Sequence, residues 1–276
     1  MKALLLENIH SEAVRALEGR GYQVELRSGA LGEAELADAL EGVELLGIRS
    51  RTHITGTVLK AHPQLLAVGA FCIGTNQIDL PAAAAAGVAV FNAPYSNTRS
   101  VVELALGEII TMARRLGDKN ASMHAGIWDK SANGSHEVRG RTLGIVGYGN
   151  IGSQLSVLAE AMGMKVYFYD VVDRLALGNA TRVDSMQELF ETCETISLHV
   201  DGRASNARLI GEREFAQMRP RTLFLNLCRG NVVDVDALAA ALQSGHIAGA
   251  AVDVFPDEPK SKDEPFVSPL QGISNV

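Results

Sequence analysis

Gly147-Tyr-Gly-Asn-Ile-Gly152 has the glycine spacing of a turn that can receive a diphosphate. It follows the apolar run Leu143-Gly-Ile-Val146 and leads into a helix-compatible segment, Ser153 to Met162. A second apolar run, Met164-Lys-Val-Tyr-Phe-Tyr-Asp170, ends in an acid. The spacing is close to the about 20 residues that separate the glycines of a dinucleotide site from its ribose-binding acid. Gly147 permits the tight turn, Gly149 lets the backbone approach a pyrophosphate, and Gly152 lets the helix lie close on the strands. Free N–H groups at the start of that helix face the phosphate oxygens. Asp170 can accept hydrogen bonds from both ribose hydroxyls and would repel a 2′-phosphate, which favours NAD over NADP. The glycine pattern alone is a weak signal. With both strands and the acid it predicts a dinucleotide site, and a nicotinamide cofactor implies hydride chemistry.

Other chemistry-bearing residues stand where apolar runs end. Arg49-Ser-Arg51 follows Glu44–Ile48 and reads either as a grip for a phosphate or carboxylate or as a solvated turn. Gly74, in Phe71-Cys-Ile-Gly-Thr-Asn76, could present main-chain N–H groups to a carboxylate or simply turn the chain. Asn97 and Arg99 either face a cleft or shape the entry to a helix. Cys72 reads as a small buried residue rather than a nucleophile, with no histidine near it in sequence. Arg229 follows Leu223–Leu227, and Asp234 can cap the next helix. A guanidinium there suits a 2-keto acid, because its fork can hold the carboxylate and polarise the keto oxygen. The alternative for Arg229 is a structural pairing with a helix end. Asp253 and Glu258 lie on or just past Gly249–Phe255. A carboxylate there could orient a histidine and raise its pKa, although alone the stretch reads as a solvated acidic turn.

Alternating strands and helices must position these loops. Lys2–Leu6, Gln23–Leu26, Glu44–Ile48, Leu65–Ala70 and Val88–Asn92 read as strands with helices between them, which makes a doubly wound parallel sheet. Ser100 to Asn120 reads as one long helix, with Ser100 and Glu103 in the form of a capping box. A loop over Gly126 to Gly140 follows, and the nucleotide unit starts at Arg141. The expected fold is therefore α/β with two domains: a flavodoxin-like substrate domain over 1–98 and a Rossmann NAD-binding domain over 99–276, with a cleft between. The chain of 276 residues is 47% hydrophobic and 21% charged, as a globular protein with a substantial core should be. A net charge of −7 without a basic block excludes nucleic acid and anionic membranes as main partners. No apolar run reaches membrane length, and the first residues do not form a signal peptide. Three scattered cysteines suit a reducing cytoplasm, and neither they nor the seven dispersed histidines have metal-ligand spacing.

Taken together, the loops resemble the D-2-hydroxyacid dehydrogenases, and among them the branch that acts on 3-phosphoglycerate. The matching stretches are Arg49–Thr52, Phe71–Asn76, Phe91–Ser100, Gly147–Gly152, Tyr167–Asp170, Ser197–Val200, Arg229–Asp234 and Gly249–Pro256. They span nearly the whole chain. The resemblance implies NAD-dependent oxidation of 3-phosphoglycerate to 3-phosphohydroxypyruvate, a step of serine synthesis. Arg229 would bind and polarise the substrate, and Glu258 would partner the catalytic histidine. Arg49, Ser50, Gly74 and Asn97 would hold the phosphorylated acid. Asn150, Ile151, Asp170, His199, Leu227, Cys228, Arg229 and Asp253 would contact NAD. A homodimer through 100–140 is implied, and a higher oligomer in a full-length parent. The loop at Trp128 and Lys130 would make the dimer contact, unless Trp128 is a local packing anchor.

The family's catalytic histidine stands in a Pro-His-Ile-Gly-like stretch expected soon after Asn275-Val276. None of His10, His53, His62, His124, His136, His199 or His246 has that context. Residues 1–276 are therefore expected to be C-terminally incomplete relative to the family, without a return segment of the first domain and a strand of the second, and to turn over poorly. The rival readings are another acid of the glycerate, glyoxylate or lactate type, a non-catalytic NAD-binding regulatory protein, and a gene fragment.

Overall fold

The computed structural model describes residues 1–259 and 263–276. The chain divides into two compact units, Met1–Asn97 and Thr98–Val276. In the first, strands β1 (Lys2–Leu5), β2 (Gln23–Leu26), β3 (Leu45–Ile48), β4 (Ala67–Ala70) and β5 (Ala89–Asn92) alternate with helices α1 (Ser11–Glu18), α2 (Glu33–Ala39), α3 (Gly56–Ala61) and α4 (Leu80–Ala85). All pairings are parallel, in the order β2-β1-β3-β4-β5. Leu4, Leu46, Ile48 and Val68 of the sheet bury against Leu36, Leu40, Val58 and Leu59 of the helices. The order reverses between β1 and β3, so the chain after Leu5 and the chain after Ile48 emerge at a topological switch point, where open α/β sheets bind ligands.

The second unit begins with helices α5 (Thr98–Arg114) and α6 (Leu116–His124). Strand β6 (Thr142–Val146), helix α7 (Asn150–Ala161), β7 (Lys165–Tyr169), β8 (Thr181–Arg182), α8 (Met186–Thr192), β9 (Thr195–Leu198), α9 (Glu212–Gln217), β10 (Thr222–Asn226), α10 (Val235–Gln243) and β11 (Ile247–Val252) follow. The sheet order is β11-β10-β9-β6-β7-β8, again parallel throughout. That is the dinucleotide-binding order, with its switch point between β6 and β9. Both faces are covered, which is why the strands read as unbroken apolar runs. Phe190, Ile196, Phe215 and Phe224 pack on one face. Ile145, Leu155, Phe168 and Leu225 pack on the other with Val102 and Ile109 of α5.

Two expectations fail around α5. The stretch is two helices rather than one, because Arg115 takes a left-handed φ of 53°. The carbonyls that would continue the helix are diverted: His136 N–H donates to Ala113 O at 2.7 Å and the Ser135 hydroxyl to Arg114 O at 3.2 Å. Arg115 then pairs with Asp118 at 2.7 Å and stabilises the new start. Ser100 and Glu103 form no capping box either. The helix already begins at Thr98, and Glu103 accepts from Arg99 Nε at 2.7 Å across one turn. Trp128 is 85% exposed, so it anchors no packing within the chain.

Candidate active site

The glycine turn meets its steric requirements. Gly147 has φ 92°, and a Cβ there would come within 2.5 Å of His199 O. A Cβ on Gly152 would lie 2.2 Å from Gly147 O. Gly149, the residue before α7, faces open space, with nothing within 4 Å of an added Cβ. The three glycines thus hold helix and strand in backbone contact while leaving room beside Gly149 for a diphosphate. Asn150 and Ile151 open the first turn of α7, with the unpaired N–H groups of a helix start.

Asp170 is drawn to the same place. Its Oδ2 accepts the Tyr148 N–H at 2.7 Å and its Oδ1 accepts the Val172 N–H at 2.8 Å. Each oxygen keeps further acceptor capacity for a ribose hydroxyl. Tyr148 supports the turn from beneath, where no sequence signal marked it. Its ring stacks on Phe168 at 3.7 Å, and its hydroxyl lies 2.6 Å from Ser156 Oγ and accepts the Leu177 N–H at 3.2 Å. These residues fit a dinucleotide with a free ribose and offer no cation dedicated to a 2′-phosphate, since Arg174 lies 3.8 Å from Asp170 itself.

His199 follows β9 at the switch point, and Cys228 follows the neighbouring β10. His199 is half-buried as a residue, but its Nδ1 is enclosed without a partner and its Nε2 lies 2.9 Å from Ser197 Oγ. Burial pushes its pKa down to about 4, so the ring is neutral near pH 7. Burial pushes the Cys228 thiol up, and its Sγ lies 3.2 Å from Asn226 Oδ1. Both residues are uncharged walls rather than acid–base groups at neutral pH.

Arg229 is half-buried just after β10. Its Nη1 donates to Cys228 O at 2.7 Å, and its stem packs where a Cβ on Gly202 would be 3.2 Å away. Asn226 Nδ2 donates to Arg229 O at 3.1 Å, which fixes the backbone from which the side chain departs. The turn beyond is held by Gly230, since a Cβ there would meet Phe255 backbone at 2.0 Å. Among the described residues that guanidinium makes no other hydrogen bond, which leaves donors that suit an anion. Asp234 caps α10 by accepting from Asp236 and Ala237 N–H groups at 3.1 and 3.2 Å.

Glu258 and Asp253 are both exposed, and Glu258 Oε1 accepts the Phe255 N–H at 3.4 Å. Among the described residues no histidine pairs with Glu258. His246 is bonded to Phe215 O, His10 caps α1, and His62 meets Gln64. Leu227 and Asp253 line a cavity of about 470 Å³ with Leu104, Met112 and Asn275, on the α5 side of β11. Among the described residues no cluster could hold a metal ion.

In the first unit Arg49, Ser50 and Asn97 are exposed and Gly74 is half-buried. Among the described residues the side chains of Arg49 and Arg51 form no salt bridge. Gly74 O accepts from Cys72 Sγ and Gln77 Nε2, both at 3.2 Å. Beneath the Arg49 turn lies Glu7, an acid whose role nothing in the sequence pattern disclosed. Its one visible clue is its position immediately past an apolar strand.

The glycines give a paired prediction. Gly149→Ala should leave the thermal midpoint unchanged but weaken NADH binding more than about tenfold, because the methyl occupies the diphosphate space. Gly152→Ala should lower the midpoint and abolish binding together. Calorimetric titration and thermal unfolding of both variants measure this. His199 gives another. Its folded pKa of about 4 lies below the ordinary 6.5, so the unfolded chain takes up a proton first as pH falls. Stability present above pH 6.5 should be lost progressively toward pH 4. His199→Gln should flatten that decline in urea-unfolding midpoints.

Comparison with known proteins agrees with this geometry. The model of the D-isomer specific 2-hydroxyacid dehydrogenase NAD-binding domain matches residues 106–273. The chain is 51% identical to D-3-phosphoglycerate dehydrogenase of Haemophilus influenzae, over 100% of this chain and 68% of the relative. It is 49% identical to D-3-phosphoglycerate dehydrogenase of Dictyostelium discoideum, with the same coverages. Among solved structures, D-lactate dehydrogenase from Aquifex aeolicus, complexed with NAD and lactic acid, superposes with TM-score 0.82 at 27% identity. It covers 92% of this chain and 77% of that one. The TT0316 protein of Thermus thermophilus superposes with TM-score 0.88 at 29% identity, over 100% of this chain and 87% of that one. With its α/β sheets and its NAD cradle, the chain belongs to the D-isomer specific 2-hydroxyacid dehydrogenase family.

Proposed function

We propose that the protein oxidises 3-phosphoglycerate to 3-phosphohydroxypyruvate with NAD, the first committed chemistry of serine synthesis. The observation that carries this reading is the Arg49–Arg51 turn. Two exposed guanidiniums and a hydroxyl follow a strand at the switch point of the first unit, in a chain of net charge −7. An acidic protein that places two arginines at one strand end, with no salt bridge to either guanidinium among the described residues, is equipped for a doubly charged phosphate ester. The relatives at 51% and 49% identity bear the matching name.

Bound NAD supplies the hydride acceptor. The chain's own residues do the rest. Arg229 clamps the substrate carboxylate and polarises the C2 oxygen as its charge changes. Arg49 and Ser50 take the phosphate, with Gly74 and Asn97 assigned to the same substrate. Asn150, Ile151, Asp170, His199, Leu227, Cys228 and Asp253 are assigned to the cofactor. Loss of the C2 hydroxyl proton requires a base, and Glu258 is the group to orient it. A histidine in that role is not among the described residues. A cytoplasmic location fits the three free cysteines and the absence, among described residues, of a helix long and apolar enough to cross a membrane. Residues 100–140, with Trp128 bare, are the proposed homodimer face.

Arg49→Ala should weaken 3-phosphoglycerate binding about 10- to 100-fold while changing D-glycerate binding less than about threefold. Equal losses for both acids, or no loss for either, would replace the phosphorylated substrate with an unphosphorylated 2-hydroxy acid. With no histidine paired to Glu258 among the described residues, a purified protein of residues 1–276 should bind NADH yet generate it about 10²- to 10⁴-fold more slowly than the D-3-phosphoglycerate dehydrogenase of Haemophilus influenzae. A progress curve at saturating 3-phosphoglycerate reads this directly.

A further inference from the structure

The Arg49 turn has the backbone shape of an anion site, but three of its N–H groups, those of Arg49, Arg51 and Thr52, are already taken. Arg49 N–H and Thr52 N–H donate to Glu7 Oε1 at 3.1 and 2.9 Å, and Arg51 N–H donates to Oε2 at 3.0 Å. Glu7 is itself 5% exposed and follows β1, directly across the β1/β3 switch point. Reaching this position costs the backbone, since Glu7 and Asn8 both adopt left-handed φ, 61° and 54°. Burial pushes the Glu7 carboxyl up, but hydrogen bonds from Thr52, Arg51 and Arg49 outweigh that and hold it below its ordinary range. At neutral pH a carboxylate therefore sits under the turn.

Gln77 closes the turn from the other side. It is 6% exposed, and its Nε2 donates to Arg49 O at 2.7 Å and to Gly74 O at 3.2 Å. Ile54 N–H donates to Gln77 O at 2.8 Å, and Ile54 pairs with Ile78 in a parallel bridge. One amide thus ties the loop after β3 to the loop after β4. Between them Glu7 and Gln77 bond both peptide groups of Arg49 and leave its side chain unrestrained by any partner among the described residues.

We propose that Glu7 and Gln77 are the positioning residues of the phosphate grip. They use up the turn's inward N–H and C=O groups and so aim the Arg49 and Ser50 side chains outward at the phosphate ester. The proposal rests on the assignment of the Arg49 turn to that phosphate. It makes the grip a side-chain site: Glu7 fills the place an anion would take on the backbone, and the substrate phosphate meets guanidinium and hydroxyl instead. Glu7→Gln puts an N–H donor against N–H donors and should spread the turn, and Gln77→Leu should release Arg49 O.

The experiment is calorimetric titration of 3-phosphoglycerate, D-glycerate and NADH into the parent protein and into Glu7→Gln, Gln77→Leu, Arg49→Ala and the Glu7→Gln/Arg49→Ala pair. Glu7→Gln and Gln77→Leu should each weaken 3-phosphoglycerate about tenfold and spare D-glycerate. NADH affinity should stay within about twofold, which reports an intact second unit. The double variant should bind 3-phosphoglycerate within about twofold of Arg49→Ala alone, because Glu7 acts through Arg49. If Arg49→Ala weakens the phosphate ester but both positioning variants leave it untouched, or their losses multiply with that of Arg49→Ala, the proposal is overturned and the phosphate assignment survives. If Arg49→Ala itself has no effect, the phosphate assignment falls and takes the proposal with it. Should Glu7→Gln fail to fold by circular dichroism, Gln77→Leu decides alone.

Discussion

Backbone touching backbone is the constraint on which the nucleotide unit depends. Gly152 lies against Gly147 O so closely that a Cβ would come within 2.2 Å, and Gly147 lies against His199 O at 2.5 Å on the same measure. Two strands and a helix start are thereby brought to a single point. The space beside Gly149 opens as a consequence, and Asp170 comes near enough to hold Tyr148 N–H at 2.7 Å. Any side chain at either contact would separate α7 from β6, and the free N–H groups of the helix start would no longer converge on one diphosphate. The apolar packing of Tyr148 on Phe168 sets the height of the turn, but the glycines set whether it can form at all.

Each unit solves the same problem at its own switch point in an opposite way. In the second, the donors at the helix start are left open for a ligand. In the first, three donors of the turn, the N–H groups of Arg49, Arg51 and Thr52, are consumed by Glu7. A parallel sheet always exposes N–H groups where strand order reverses, and an unpaired buried donor is expensive. The first unit satisfies three of the turn's donors internally and, on the proposed assignment, binds through side chains. The second keeps them for a diphosphate, which can bridge several N–H groups at once.

Much of this was legible in the sequence because period and punctuation carry it. The strands of the first sheet, β6, β7, β10 and β11 of the second, the glycine turn, Asp170 and the Asp234 cap follow from apolar runs and their punctuation, whereas β8 and β9 are not among them. What escaped has no local signature. Glu7 binds a turn more than forty residues along the chain, and its left-handed backbone is forced by that contact rather than by its own propensity. Tyr148 occupies a variable position of the glycine motif, and its partners Ser156 and Leu177 are set by packing. The break at Arg115 was hidden because its cause, capture of Ala113 O and Arg114 O by His136 and Ser135, lies in the following loop. Arg115 on its own favours a continuing helix.

Substrate choice follows from where the cations stand. The acidic chain supplies no general field to attract an anion, so every bound charge must be met by a particular group. Arg229, with its stem against Gly202 and its backbone fixed by Asn226, offers a fork that suits the carboxylate and C2 oxygen common to all 2-hydroxy acids. It therefore cannot distinguish one such acid from another. Discrimination must come from a group that only some of these acids engage, and Arg49 with Ser50 is the set whose charge matches a phosphate ester. Because the Arg49 backbone is bonded from beneath by Glu7 and from the side by Gln77, the point from which that side chain departs is fixed before any ligand arrives. On the proposed assignment, a backbone fixed in this way removes part of the ordering cost of binding, and the exposed side chains supply the charge that matches a phosphorylated acid.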